Sequence, residues 1–181
     1  MSENEENVVF ENYLKKIRTD CTLEKKKHFN AADRKERTFR RINLAVIGLS
    51  VLSATAIIAE INFNSEVIPK IIEGCFSAIT IALAFYLMMR NDQMHTEKHK
   101  LIANEFIDLA NKCDYELARI KTCSDPDAKI KEFQASYKGL IDKAILLNTT
   151  KSDYEKARKG IESGEESYTK KDLAIGEIVD E

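Results

Sequence analysis

His95 and His99 stand four residues apart in a helical stretch, a spacing that lets two imidazoles hold one metal ion. Thr96, not glutamate, follows His95, and no third ligand stands near, so no metal centre is expected. A second set of chemistry-bearing residues is cationic. Lys112, Arg119, Lys121, Lys138, Lys156, Arg158 and Lys159 interleave with Tyr115, Tyr137 and Tyr154, a mixture that can hold phosphates and stack bases. Lys112, Arg119, Arg158 and Lys159 are the candidate ligand-binding residues within it. Charged helix faces turned to water give the same pattern, so both readings stand at this point. Cys21, Cys75, Cys113 and Cys123 form no C-x-x-C pair and read as reduced structural thiols. The chain has 6 glycines in 181 residues, with no phosphate-cradling loop and no nucleophile elbow. Neither an enzyme nor a cofactor is expected.

The elements that must carry these residues are dominated by two apolar runs. Ile42 to Ala59 is free of charge, and after a hydrophilic break at Asn62 to Glu66 a second run extends from Ile68 to Met89. Its only charges, Lys70 and Glu73, fall in its first two turns. A membrane-crossing helix needs about 20 mostly apolar residues, and both runs meet that length. In lipid each backbone N–H and C=O must be satisfied within its own segment, so each run must be helical. The reading is a two-span antiparallel hairpin rather than a hydrophobic hairpin buried in a soluble bundle.

Charge sets the orientation. From Glu24 to Arg41 eight basic residues face three acidic ones, and Arg90, Lys98 and Lys100 follow the second run. Cytoplasmic flanks carry excess Lys and Arg, so residues 62–67 are expected outside and both termini in the cytoplasm. Arg37, Arg40, Arg41 and Arg90 are the expected membrane anchors. The net charge of −2 conceals 11 basic and 8 acidic residues in 1–41, 1 and 3 in 42–89, and 16 and 19 in 90–181. Such a balance excludes a general nucleic-acid binder, which is basic as a whole. No cleavable leader is expected, because the first apolar run begins only at position 42.

Outside the hairpin the chain reads as amphipathic helices. Phe10, Tyr13, Leu14, Ile17 and Cys21 recur at helical spacing, and that face needs a partner. From Leu23 a basic juxtamembrane helix leads into the first span, its charges held by anionic headgroups. Beyond Arg90 the chain is expected to continue as helix, with Leu101, Ile102, Phe106, Leu109, Cys113, Leu117 and Ile120 as its seam. Ser124-Asp125-Pro126-Asp127 reads as a stop and restart, an Asp or Ser cap before Pro at the first position of a helix whose apolar face holds Ile130, Phe133, Tyr137, Leu140, Ile141 and Ile145. Ser152-x-x-Glu155 reads as the capping box of a last helix that ends at Ser163-Gly164. The fold class is therefore all-α: a two-span membrane hairpin extended by cytosolic helices. The expected parts are 1–41 (amphipathic and basic helices), 42–89 (hairpin), 90–163 (cytosolic helices) and 164–181 (acidic tail).

Polar residues inside the spans give the hairpin a function. In the first, Asn43, Ser50, Ser53 and Glu60 share a narrow arc; in the second, Lys70, Glu73, Ser77, Thr80 and Ala84 do. Beside the second stripe runs the ladder Gly74-xxx-Ala78-xxx-Ala82, small residues that let another helix approach closely. Two spans cannot enclose a water-filled path, but a homo-oligomer of four or more copies could. Glu60, Glu73, Ser77, Thr80, Ala84 and Leu87 would then line it: rings of carboxylate favour cations, and apolar rings close a path by dewetting. The same serines and threonine could instead bond their own helix carbonyls. The second reading is a non-conducting tether whose cytosolic helices recruit a partner.

The order of these features is itself informative. The lead-in KKKHFNAADRKERTFRRI, the span LAVIGLSVLSATAIIA, the brief loop, the second span and HKLIANEFIDLANKCDYELARI resemble the SLATT family of bacterial two-span effectors over roughly residues 23–150. The resemblance is carried best by Ala32 to Arg41 and His99 to Phe106. It implies a bacterial inner-membrane effector of anti-phage defence that oligomerises and opens a pore. It also implies a gating signal derived from nucleotides, a cyclic nucleotide or short oligonucleotide made by a partner nucleotidyltransferase.

Overall fold

The computed structural model describes residues 3–63, 67–123 and 125–164. Its elements are α1 (Glu3–Phe63), α2 (Val67–Arg90), α3 (Asp92–Ala118), a 3-10 turn (Ile120–Thr122), α4 (Pro126–Ile145) and α5 (Lys151–Glu162). Among the described residues there is no strand. The chain forms two compact units. One joins 1–32 to 97–181, and the other is 33–96. The sequence-based partition separates the first 41 residues from the cytosolic helices; here their larger part belongs to the same unit.

α1 has no break where the amphipathic and basic segments meet. Proline is absent from its entire length and Gly48 is its only glycine, so nothing interrupts the i→i−4 ladder. By contrast, the helix expected to continue past Arg90 stops for one residue. Asn91 adopts φ 47, a left-handed conformation that asparagine tolerates better than most side chains. Arg90 braces the break, its Nε 2.9 Å from Oδ2 of the buried Asp92.

In the first unit Phe10, Leu14, Ile17 and Cys21 of α1 pack with Ile102, Phe106, Leu109 and Cys113 of α3. Phe133 and Ala144 of α4 close this core. The amphipathic face of the N-terminal segment thus has its partner. Leu101 and Ile145, assigned by periodicity to apolar seams, are 61% and 73% exposed. Each stands at the margin of its stripe, and the facing helices reach only the centre. Ion pairs join the same elements: Arg18 to Asp114 at 2.7 Å, Lys143 to Glu105 at 2.6 Å and Lys129 to Glu116 at 3.1 Å.

The caps show how local chemistry sets the ends. Asp125 is the N-cap of α4 and accepts from the N–H of Ala128, with Pro126 at the first helical position. For α5 the capping box is Thr150 with Asp153, two residues earlier than the Ser152–Glu155 pair suggested by sequence. Asp153 prevails because it is also buried, and its carbonyl accepts from Nδ2 of Asn30 on α1 at 3.0 Å. Its carboxylate accepts from the Thr150 N–H at 2.9 Å and hydroxyl at 2.8 Å. Asp153→Ala is expected to cost about 0.5–2 kcal/mol by removing the capping box of α5. Urea unfolding of the full chain in detergent micelles measures it.

Among the described residues of the second unit, both apolar segments carry exposed apolar side chains. Leu44, Ile47, Val51, Leu52 and Ile58 on α1, and Ile79, Ile81, Phe85, Met88 and Met89 on α2, are all exposed. Among the described residues one helical stretch, Gly74–Ala118, is long and apolar enough to cross a membrane, and none of its apolar window is buried. Arg90 and Asp92 bring charge back where α2 gives way to α3.

Candidate functional site

Sequence-predicted residues are best followed in their own units. Of the pore-lining set, the Glu60 and Glu73 side chains lie outside the described residues. Ser77, Thr80 and Leu87 lie on the half-buried face of α2, with Phe76 and Leu83, while Ala84 is exposed. The Thr80 hydroxyl donates to the Phe76 carbonyl at 2.8 Å, and Ser50 on α1 bonds Val46 in the same way. Gly74, Ala78 and Ala82 are all exposed, and a Cβ placed on Gly74 would meet nothing within 4 Å. The small-residue ladder is therefore uncovered in the single chain. Arg37, Arg40 and Arg41 are exposed, whereas Arg90 is held by Asp92 and by the Tyr86 hydroxyl at 2.8 Å.

The four candidate ligand-binding cations are spread over α3, the turn that follows it and α5. Arg119 lies over the Tyr115 ring at 5.3 Å from its centroid and donates to that hydroxyl. Arg158 pairs with Glu162 at 2.9 Å, one turn along α5, where Lys159 is exposed. Lys112 lines a cavity of about 230 Å³ beside Glu105 and Asp108, two carboxylates that disfavour a phosphate there. Of the three tyrosines, Tyr137 is taken into the core, edge-on to Phe106 at 6.5 Å.

The arrangement that sequence spacing did not disclose is a histidine pair. Nδ1 of His28 on α1 lies 2.9 Å from Nδ1 of His99 on α3, and both rings are buried. Phe106 stacks on His28 at 6.1 Å. His99 therefore spends its Nδ1 on a residue 71 positions away rather than on a metal shared with His95. One Nδ1 must carry a proton and the other a lone pair, so the bond cannot survive with both rings charged. Burial, reinforced by the neighbouring His99 and Lys27, pushes the His28 pKa down to about 4, against a smaller opposing pull from Asp153. At neutral pH His28 is uncharged. Nothing local in the sequence marks this pair; histidine in a helix interior facing other helices is its only signal.

His28 also forms part of the wall of a cavity of about 310 Å³. Glu24 and Lys27 line it from α1, Ala144 from α4, and Asn148 and Thr149 from the connection to α5. The Lys27 ammonium binds both Glu24 oxygens, at 2.6 and 2.5 Å, and Nε2 of His28 lies 3.8 Å from the nearer one. Two buried thiols also belong to this interior: burial pushes Cys113 up to about 12 and raises Cys21 as well, so both are protonated and inert at neutral pH.

An all-helical bundle joined in sequence to an uncovered apolar helix of spanning length defines a membrane-associated helical protein. The chain belongs to the SLATT family described as SMODS and SLOG-associating 2TM effector domain family 4, which matches residues 10–172. It is accordingly a membrane effector of the kind found in defence systems. No curated protein and no solved structure matches the chain.

Proposed function

We propose that the chain is a channel-type effector. Each protomer contributes two spans, and four or more copies surround a path lined by the polar stripe of the second span. It acts without catalysis in the bacterial inner membrane, both termini in the cytoplasm. A nucleotide-derived signal, or a partner such as a nucleotidyltransferase, opens it. The observation that carries this reading is the exposed apolar surface of α2 among the described residues, which includes the open ladder Gly74, Ala78 and Ala82. Lipid covers most of such a surface, and another copy's helix fits the small residues.

The half-burial of Ser77, Thr80 and Leu87 in the single chain favours a second reading, a non-conducting tether. Purified protein in liposomes separates the two. A channel passes cations when the activating lysate fraction or partner is added, and Leu87→Ser is expected to raise the resting leak about tenfold by wetting the apolar constriction. Liposomes that stay tight with wild type and Leu87→Ser alike, under activating conditions, overturn the channel in favour of the tether.

A further inference from the structure

We infer that the 310 Å³ cavity beside His28 binds a neutral, flat, hydrogen-bonding heterocycle of nucleobase size, and that the His28–His99 bond reports its occupancy to α3. Small-ligand sites run from about 300 Å³ upward, so this one is of a size to take a base, or a base with its sugar. Its lining mixes polar and apolar chemistry. Glu24 supplies an acceptor, Lys27 a donor, and Asn148 and Thr149 groups able to do either. Ile141, Ala144, Ile145 and Leu147 are apolar. A ligand matching both must present an apolar face and a polar edge, which is what a heteroaromatic ring offers.

Charge narrows the class. The Lys27 ammonium and the Glu24 carboxylate neutralise one another, and the buried His28 carries no proton in excess at neutral pH. The cavity therefore has no net charge with which to select an anion, and a phosphate on the ligand would have to stay in solvent. His28 gives the site its reach. One ring edge faces Glu24 and the other is bonded to His99 on α3, so the proton arrangement on one side dictates that on the other. A ligand that engages Glu24 changes which nitrogen of His28 holds the proton, and the partner ring on α3 must follow. This use of occupancy rests on the channel reading above; binding itself does not, and is measured without any flux.

The test is calorimetry on the full chain in nanodiscs, with adenosine, guanosine, cytidine, uridine and their 5′-monophosphates as probes. Histidine ring NMR signals are recorded in parallel. Saturable binding of at least one base is expected, with nucleoside and monophosphate within about threefold of each other. Asn148→Ala, at an exposed position, should weaken it about tenfold, the equivalent of about 1.4 kcal/mol. Ala144→Leu should abolish it by filling the space; because Ala144 is buried, Asn148→Ala is the deciding variant. The His28 and His99 signals should shift together on saturation. Failure of all eight probes to bind overturns the site and leaves the channel reading to its own flux assay. Monophosphates binding more than tenfold tighter, with that advantage lost in Lys27→Gln, overturn the neutral ligand class in favour of an anion. Binding that leaves either histidine signal in place overturns the coupling to α3.

Discussion

Phe106→Ala is expected to destabilise the bundle of α1, α3, α4 and α5 by about 3–5 kcal/mol, the largest loss of any single substitution considered. The ring is wholly buried, stacks on His28 and meets Tyr137 edge-on, so its removal leaves a cavity at the junction of three helices. It also strips the apolar cover from the histidine pair, so a polar contact is weakened along with a hydrophobic one. Urea unfolding of the full chain in detergent micelles, followed by tyrosine emission, reads the loss directly, because the protein contains no tryptophan. Tyr13 and Tyr137 are packed against this core and will report it. A loss below about 1 kcal/mol would show that the ring is not held in the core as described.

Acid should weaken the same bundle through His28. Its folded pKa of about 4 lies below the ordinary histidine value of 6.5, so between these two the unfolded chain binds more protons than the folded one. The stability contributed by the neutral ring is fully present above about pH 6.5, declines as pH falls, and is gone near pH 4. The loss is on the order of 3 kcal/mol, with a slope approaching about 1.4 kcal/mol per pH unit. The groups around the ring set this direction: His99 from α3 and Lys27 from α1 oppose a positive charge, while Asp153 from α5 and Glu24 from α1 favour it too weakly to offset burial. Unfolding curves collected from pH 7 to 4 should be flatter in His28→Gln than in wild type, although the variant begins less stable. Parallel pH dependences in the two proteins would remove His28 as the titrating group.

Much of the helical organisation was legible because it depends on interactions between residues three or four apart. Phe10, Leu14, Ile17 and Cys21, or Ile102, Phe106, Leu109 and Cys113, declare a buried face by spacing alone, and those faces are buried. Asp125-Pro126 declares a helix start for an equally local reason. The end of α5 at Ser163-Gly164 follows the same logic, Gly164 taking φ 83. The capping box of α5 escaped because two overlapping pairs satisfy the local rule, and only the burial of Asp153 beneath Asn30 selects between them.

The amino-acid sequence alone therefore specifies the set of helices, the apolar character of the second apolar run and the family order of features. Each is written in periods of a few residues or in composition. Which faces meet was settled by tertiary packing. It placed the N-terminal face of α1 against α3 and α4, left Leu101 and Ile145 exposed, and brought His28 within hydrogen-bonding distance of His99. The cause is range: helix propensity and capping act over a single turn, whereas a contact across 71 residues depends on how whole helix surfaces fit, and no local spacing encodes that fit.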